Sequence, residues 1–231
     1  MRFLALLLCL PLAAFAAPTE SKESLEWRKG DKIPYLQYLP EGYEETKDPV
    51  PLVIFLHGAG ERGTNLEQIK KHGPPKIAMN GHGLPFILAA PQCPPDRWWN
   101  PDEILALTHH LMKTLRVDPK RVHLTGISMG GFGTWACLTK EPDLYASGVP
   151  ICGGGTPAEA AKLKEIPIWA FHGRKDEPVP VAKTEEMEKA ILAAGGKKFR
   201  VTYYPEEGHE SWIPAYADPS LLAWMMLQHK K

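Results

Sequence analysis

The sequence predicts an α/β fold: a mostly parallel, twisted sheet with helices on both faces. Two observations carry that expectation. Apolar, β-branched-rich runs recur along the chain, several of them apolar at nearly every position, as strands buried on both faces are. Segments with helical spacing lie between them, and strands alternating with helices imply parallel pairing through crossover connections. No internal repeat or low-complexity linker divides the 231 residues, a length that suits one sizeable domain.

Taken in order, "WRKGDKIPYLQY" reads as an antiparallel hairpin turning at Lys29-Gly30-Asp31. "PLVIFLHG" and "FILAAPQ" follow as buried strands. "DEILALTHHLMKTL" is a helix with Ile104, Leu107, Leu111 and Leu115 on one face. Asp118 in "RVDPKR" suits the cap of a turn before the strand "RVHLTGIS". "GVPICGG" and "IPIWAFHG" are further strands, joined by the short helical stretch "TPAEAAKLKE". "VAKTEEMEKAILAAGG" turns Val181, Met187 and Ile191 inward and stops at Gly195-Gly196. "FRVTYYPE" closes the strands, and a last apolar helix is expected from about Ala215 to Gln228.

Composition narrows the function. Hydrophobic residues are 44% of the chain, enough for a buried core, and 27 basic residues balance 27 acidic ones. With no basic run, nucleic acid is not expected as a partner. "MRFLALLLCLPLAAFAAPTE" has the form of a secretory signal occupying residues 1–17, cleaved near Ala16 or Ala17. Its apolar run is too short for a comfortable membrane span. Cys9 lacks the small residue before it that lipidation needs. The expectation is therefore a secreted or periplasmic chain, residues 18–231, with no membrane anchor. Cys93, Cys137 and Cys152 are too few and too odd in number for a disulfide scaffold, and at most one bridge could form. No His-Glu-x-x-His or Cys-x-x-Cys spacing calls for a metal, and no cofactor is expected.

The chemistry gathers at the carboxyl ends of the strands, where sheets of this kind bind ligands. "TGISMGGFGTW" sets Ser128 between Gly126 and Gly130, the glycine spacing that a sharp strand-to-helix bend requires. "IWAFHG" runs into Asp176 and "VTYYPEEGHE" into His209. A serine hydroxyl is a poor nucleophile until a neutral imidazole takes its proton, and a carboxylate must then fix that imidazole's tautomer. Ser128, His209 and Asp176 fit these parts, with Glu177 the alternative acid. An oxyanion formed at the serine needs preorganised N–H donors. The amide of Met129 is one, if a helix begins at Gly130; the amide of Ala59 is the other, with Gly60 its alternative, in "LHGAGERG". His57 and His172 each precede a glycine at a strand end and read as loop-ordering residues. His109-His110 sit mid-helix, partly solvated.

Together "LHGAGERG", "PQCPPDRWW", "VDPKRVHLTGISMGGFGTW", "ICGGG", "HGRKDEPVP" and "GHESW" resemble the compact esterase branch of the α/β-hydrolases. That branch includes prolyl-oligopeptidase-like predicted peptidases, the phospholipase/carboxylesterase group and secreted feruloyl and polyhydroxybutyrate depolymerase-like esterases. The resemblance covers nearly the whole mature chain. It implies Ser128 as nucleophile, Asp176 and His209 as its partners, and the amides of Ala59 and Met129 as the oxyanion hole. One departure is the missing His-Gly-Gly-Gly turn of lipases. The implied activity is carboxylic ester hydrolysis, with peptide hydrolysis and a non-catalytic binding protein as the other readings. A large lid is excluded between "GVPICGG" and "IPIWAFHG" by length. Trp98, Trp99 and Trp212 are candidate walls for an aryl or sugar group, with packing on the sheet edge as the alternative.

Overall fold

The computed structural model describes residues 18–230, so the signal-peptide expectation for residues 1–17 lies outside the described residues. The hairpin forms as predicted, from β1 (Thr19–Arg28) and β2 (Asp31–Leu39), with Gly30 at φ 86 in its turn. Six more strands follow: β3 (Val50–Leu56), β4 (Ile87–Pro91), β5 (Val117–Ile127), β6 (Ser147–Ile151), β7 (Ile168–Gly173) and β8 (Phe199–Tyr204). They make one sheet in the order β1-β2-β4-β3-β5-β6-β7-β8, parallel from β4 onward through β8 and antiparallel at β1-β2-β4. Because β4 and β5 flank β3 on opposite sides, the winding direction reverses at β3. The crevice at that reversal is where sheets of this type hold ligands.

Helices cover both faces: α1 (Gly73–Met79), α2 (Pro101–Thr114), α3 (Met129–Lys140), α4 (Ala182–Ala193), α5 (Trp212–Ala217) and α6 (Pro219–Met226). The strands feed two cores by simple alternation. Leu52, Ile54 and Leu56 of β3 join Ile104, Leu107, Leu111 and Met187 on one face. Val53 and Phe55 join Phe171, Leu221 and Met225 on the other. Asn100 caps α2 by accepting from the Asp102 amide, and Ile104, Leu107 and Leu111 are fully buried while Leu115 ends the helix.

Two expectations need correction, and one helix is new. The final helix is two helices, because Pro219 cannot continue α5; Asp218 turns extended and caps α6 through the Ser220 amide. The helix α1 has no counterpart among the expected elements, and its Pro74 and Pro75 sit in the first turn, where an N–H has no partner. Asp118 does not precede β5 but lies in an irregularity within it, accepting from the Lys120 amide where pairing slips between Val117 and Val122. The three cysteines of this region are free and buried, and no bridge joins them.

Two histidines inside this fold make its stability sensitive to acid. Burial pushes the His57 imidazole down from 6.5 to about 4, against a raising contribution from its bond to the Gly58 carbonyl. Burial, helped by Arg121, pushes His123 down to about 3. An unfolded chain takes up both protons as pH falls through 6.5, and the folded chain does not until far lower. Their contribution is thus complete above the unfolded value and is lost on acidification. We expect the denaturant midpoint at about pH 4.5 to lie below that at about pH 7, and less so in a His123→Asn variant. Equal midpoints at both pH values would contradict the assignment.

Candidate active site

The bend between β5 and α3 is the centre of the site. Ser128 sits there at φ 51 and ψ −116, a conformation that side chains rarely adopt. A Cβ on Gly130 would overlap the Leu56 carbonyl, and one on Gly126 would overlap the Gly130 carbonyl. Backbone therefore packs on backbone, and the helix starts at Met129, one residue earlier than the sequence suggested. The Ser128 amide donates to the Ile151 carbonyl at 3.0 Å, and its own carbonyl accepts from Phe132 at 3.1 Å, which holds the bend.

Ser128 Oγ lies 2.8 Å from His209 Nε2. On the far side of the ring, His209 Nδ1 lies 2.8 Å from Asp176 Oδ2 and 3.0 Å from Oδ1. A carboxylate only accepts, so Nδ1 carries the proton and Nε2 is left to accept from the serine hydroxyl. The Asp176 side chain is fully buried and also accepts the Val179 amide at 2.8 Å, whereas His209 keeps 22% of its side chain exposed. Glu177, the other acid considered, is exposed, and both His209 contacts go to Asp176.

The loop after β3 is clamped from β4. His57 Nδ1 donates to the Gly58 carbonyl at 2.7 Å, while its Nε2 accepts the Cys93 amide at 3.0 Å. Gln92 donates to the Glu61 carbonyl at 2.6 Å, and Trp99 Nε1 donates to the His57 carbonyl at 3.0 Å. Backbone bonds in the loop run from Glu61 to Gly58 and from Arg62 to Ala59, leaving the Ala59 N–H out. Met129, as the first residue of α3, likewise has no partner within its helix for its N–H. His57 thus orders its loop as expected. Gln92 carries no local signal that would single it out.

A cleft of about 570 Å³ runs along α3 from Met129 to Lys140. Its lining includes Trp98, Trp99, Phe132, Thr156, Glu159 and Lys162. The two adjacent tryptophans point to opposite environments. Trp98 is 59% exposed and stands edge-on to Phe132 at 5.6 Å, while Trp99 is buried. Trp212 is also buried, its ring edge-on to His209 at 5.3 Å and to His72 at 5.4 Å. Phe132 escaped the sequence reading, although its place one helical turn after Ser128 puts it on the same face. The segment Pro157–Leu163 is a short 3₁₀ stretch, so no lid of any size stands between β6 and β7.

One group of potential metal donors occurs among the described residues, with atoms of Cys152, Asp176 and His209 within 4.8 Å of one another. Two of the three are already committed to the Ser128–His209–Asp176 line. Cys152 stands at φ 42, and burial pushes its thiol well above the ordinary range.

Residues 98–214, just over half of the chain, match the family model described as "Dienelactone hydrolase family". The chain belongs to the dienelactone hydrolase family. The matched segment contains Ser128, Asp176 and His209, while Ala59 lies outside it. A protein of Methylorubrum extorquens named for carboxymethylenebutenolidase activity is 31% identical over 50% of this chain and 44% of its own length. A Nocardia uniformis subsp. tsuyamanensis protein, NocK, named as an esterase, is 26% identical over 68% of this chain and 53% of its own. The chain thus spans about half the length of these curated relatives. Among solved structures, one described as a thermostable esterase superposes with TM-score 0.79 at 32% identity, covering 92% of this chain and 63% of that one. An acylaminoacyl peptidase of Pyrococcus horikoshii gives TM-score 0.69 at 15% identity over 95% of this chain and 43% of its own, a likeness of fold alone.

The backbone at this family member's serine yields a stability test. A non-glycine residue in such a conformation costs on the order of 1–3 kcal/mol, which glycine relieves at some loss of unfolded-state entropy. Ser128→Gly should therefore be more stable than Ser128→Ala by roughly 1 kcal/mol in urea unfolding. If the alanine variant proves the more stable, the bend is not strained.

Proposed function

We propose that the chain is a serine hydrolase of carboxylic esters, working through an acyl-enzyme on Ser128. The observation that carries this is the unbroken line from the Ser128 hydroxyl through His209 to the buried Asp176 carboxylate. The relatives named for ester and carboxymethylenebutenolidase activity support the same reading.

In this mechanism the Ser128 oxygen attacks the ester carbonyl carbon as its proton passes to His209 Nε2. The carbonyl π-electrons move to oxygen, giving a tetrahedral oxyanion. The amides of Met129 and Ala59 are its donors, each worth about 2.7–4 kcal/mol of barrier in sites of this type. Asp176 stabilises the imidazolium without taking its proton. Collapse expels the alkoxide, which His209 protonates, and water repeats the sequence to release the acid. His209 must be neutral to accept the Ser128 proton.

The finer reading is an aryl or polysaccharide-linked ester. Its support is the open cleft and the exposed indole of Trp98 held against Phe132, a surface on which a ring can stack. Export, read from the leader-like first residues, would bring the chain to such polymers. The peptidase reading has a likeness of fold alone behind it.

A fluorophosphonate should label Ser128, and Ser128→Ala should lose both labelling and ester turnover. Retained turnover would remove the proposal, and peptide amides cleaved as fast as activated esters would favour the peptidase. Asp176→Asn should lower kcat by about 10⁴-fold while Glu177→Gln stays near the parent. Release of ferulate or acetate from substituted xylan, with KM raised in Trp98→Ala, tests the substrate class; no release above the Ser128→Ala blank would exclude it.

A further inference from the structure

His172 ends one residue before the close of β7 and is fully buried. Its Nε2 faces two oxygens, the Val179 carbonyl at 2.8 Å and Asp176 Oδ2 at 3.2 Å. Both only accept, so Nε2 carries a proton. On the other edge, Nδ1 lies 2.7 Å from Thr184 Oγ1, whose single proton has the Gly153 carbonyl at 3.2 Å as its alternative acceptor. Burial holds this imidazole below the ordinary histidine range, which leaves Nδ1 to accept from the threonine.

Asp176 Oδ2 therefore faces two imidazoles: His209 hydrogen-bonds it at 2.8 Å, and His172 Nε2, whose proton goes first to the Val179 carbonyl, stands 3.2 Å away. Oδ1 is gripped by the Val179 amide at 2.8 Å, and Val179 is itself held through its carbonyl by His172. The last torsion of an aspartate is broad and two-fold, so a carboxylate with one donor can turn in place. With Oδ1 held by the Val179 amide and Oδ2 by His209, the carboxylate cannot turn while the Val179 peptide stays put, and His172 holds that peptide by its carbonyl.

We propose that His172 is a positioning residue: it fixes the rotation of the Asp176 carboxylate, and through it the His209 ring, without touching substrate. This rests on the esterase reading above. The test is kcat and KM on an activated short-chain ester for His172→Phe and His172→Gln, alone and combined with Asp176→Asn.

Phenylalanine fills the space but cannot donate, and should lower kcat by about 10²-fold, the loss expected of a misplaced catalytic group. KM should stay within about two-fold, and glutamine, whose amide can donate to the Val179 carbonyl, should recover most of the rate. In the Asp176→Asn background the phenylalanine change should add less than about two-fold, because the route it breaks is already broken. Equal losses in both backgrounds, or an undiminished kcat in His172→Phe, would overturn the proposal. If His172→Phe does not fold, Thr184→Val carries the same cycle: a loss in the parent and none in the Asn background supports it, and equal losses overturn it.

A readout independent of turnover is the low-field proton resonance of the His209–Asp176 hydrogen bond. It should shift in His172→Phe and return in His172→Gln; an unmoved resonance in the phenylalanine variant refutes the positioning role. Turnover that survives Ser128→Ala would refute the esterase reading instead, and the resonance would still decide His172.

Discussion

The structure depends on a contact between two stretches of bare backbone. At Gly126 and Gly130 the chain of β5 and α3 comes so near the end of β3 that no side chain could be admitted. That approach fixes several things together: the strained φ 51 of Ser128, the start of α3 at Met129, and the distance from both to the loop after β3. A larger residue at either glycine would separate the serine from the amides beside it. Strain of on the order of 1–3 kcal/mol persists at the bend because its neighbours over-determine it. The Ile151 carbonyl and the Phe132 amide hold Ser128 from both sides.

Around that contact the site is graded from dry to wet. The Asp176 side chain is fully buried and His209 partly exposed, and the cleft along α3 is lined at one end by Met129, the residue after Ser128. A buried carboxylate is tolerable only when its oxygens are satisfied, and the Val179 amide and the His209 ring do so. The low dielectric around it strengthens its hold on a ring that carries charge part of the time. On the opposite side, the loop bearing Ala59 takes its shape from neutral groups: the His57 ring, the Gln92 amide and the Trp99 indole. One wall of the site is thus set by charge and the other by dipoles.

Much of this was legible in the residues. The apolar runs became strands because strands buried on both faces have no polar position to show. Ser128, Asp176 and His209 could be found since each follows such a run, and glycine marks the bend at Ser128. What escaped reading was set by tertiary contact. Gln92 pairs with a histidine 35 positions away and leaves no local pattern. His172 was legible as a loop-ordering residue, but its approach to Asp176 depends on how the next loop folds back. Phe132 matters only once Trp98 is known to point outward and Trp99 inward. The prolines of α1 and Pro219 are local signals with two meanings, a loop or a helix start, and the surrounding packing chose the second.

The hydrogen bond between Ser128 and His209 spans 81 positions, and the one between His209 and Asp176 spans 33. The three side chains ride on loops after β5, β7 and β8, with β6 paired between the first two. No continuous fragment short of that stretch can hold them together. A chain emerging during synthesis lacks the alignment until its eighth strand has docked on the seventh, so the nascent polypeptide passes through most of its assembly with an unaligned serine.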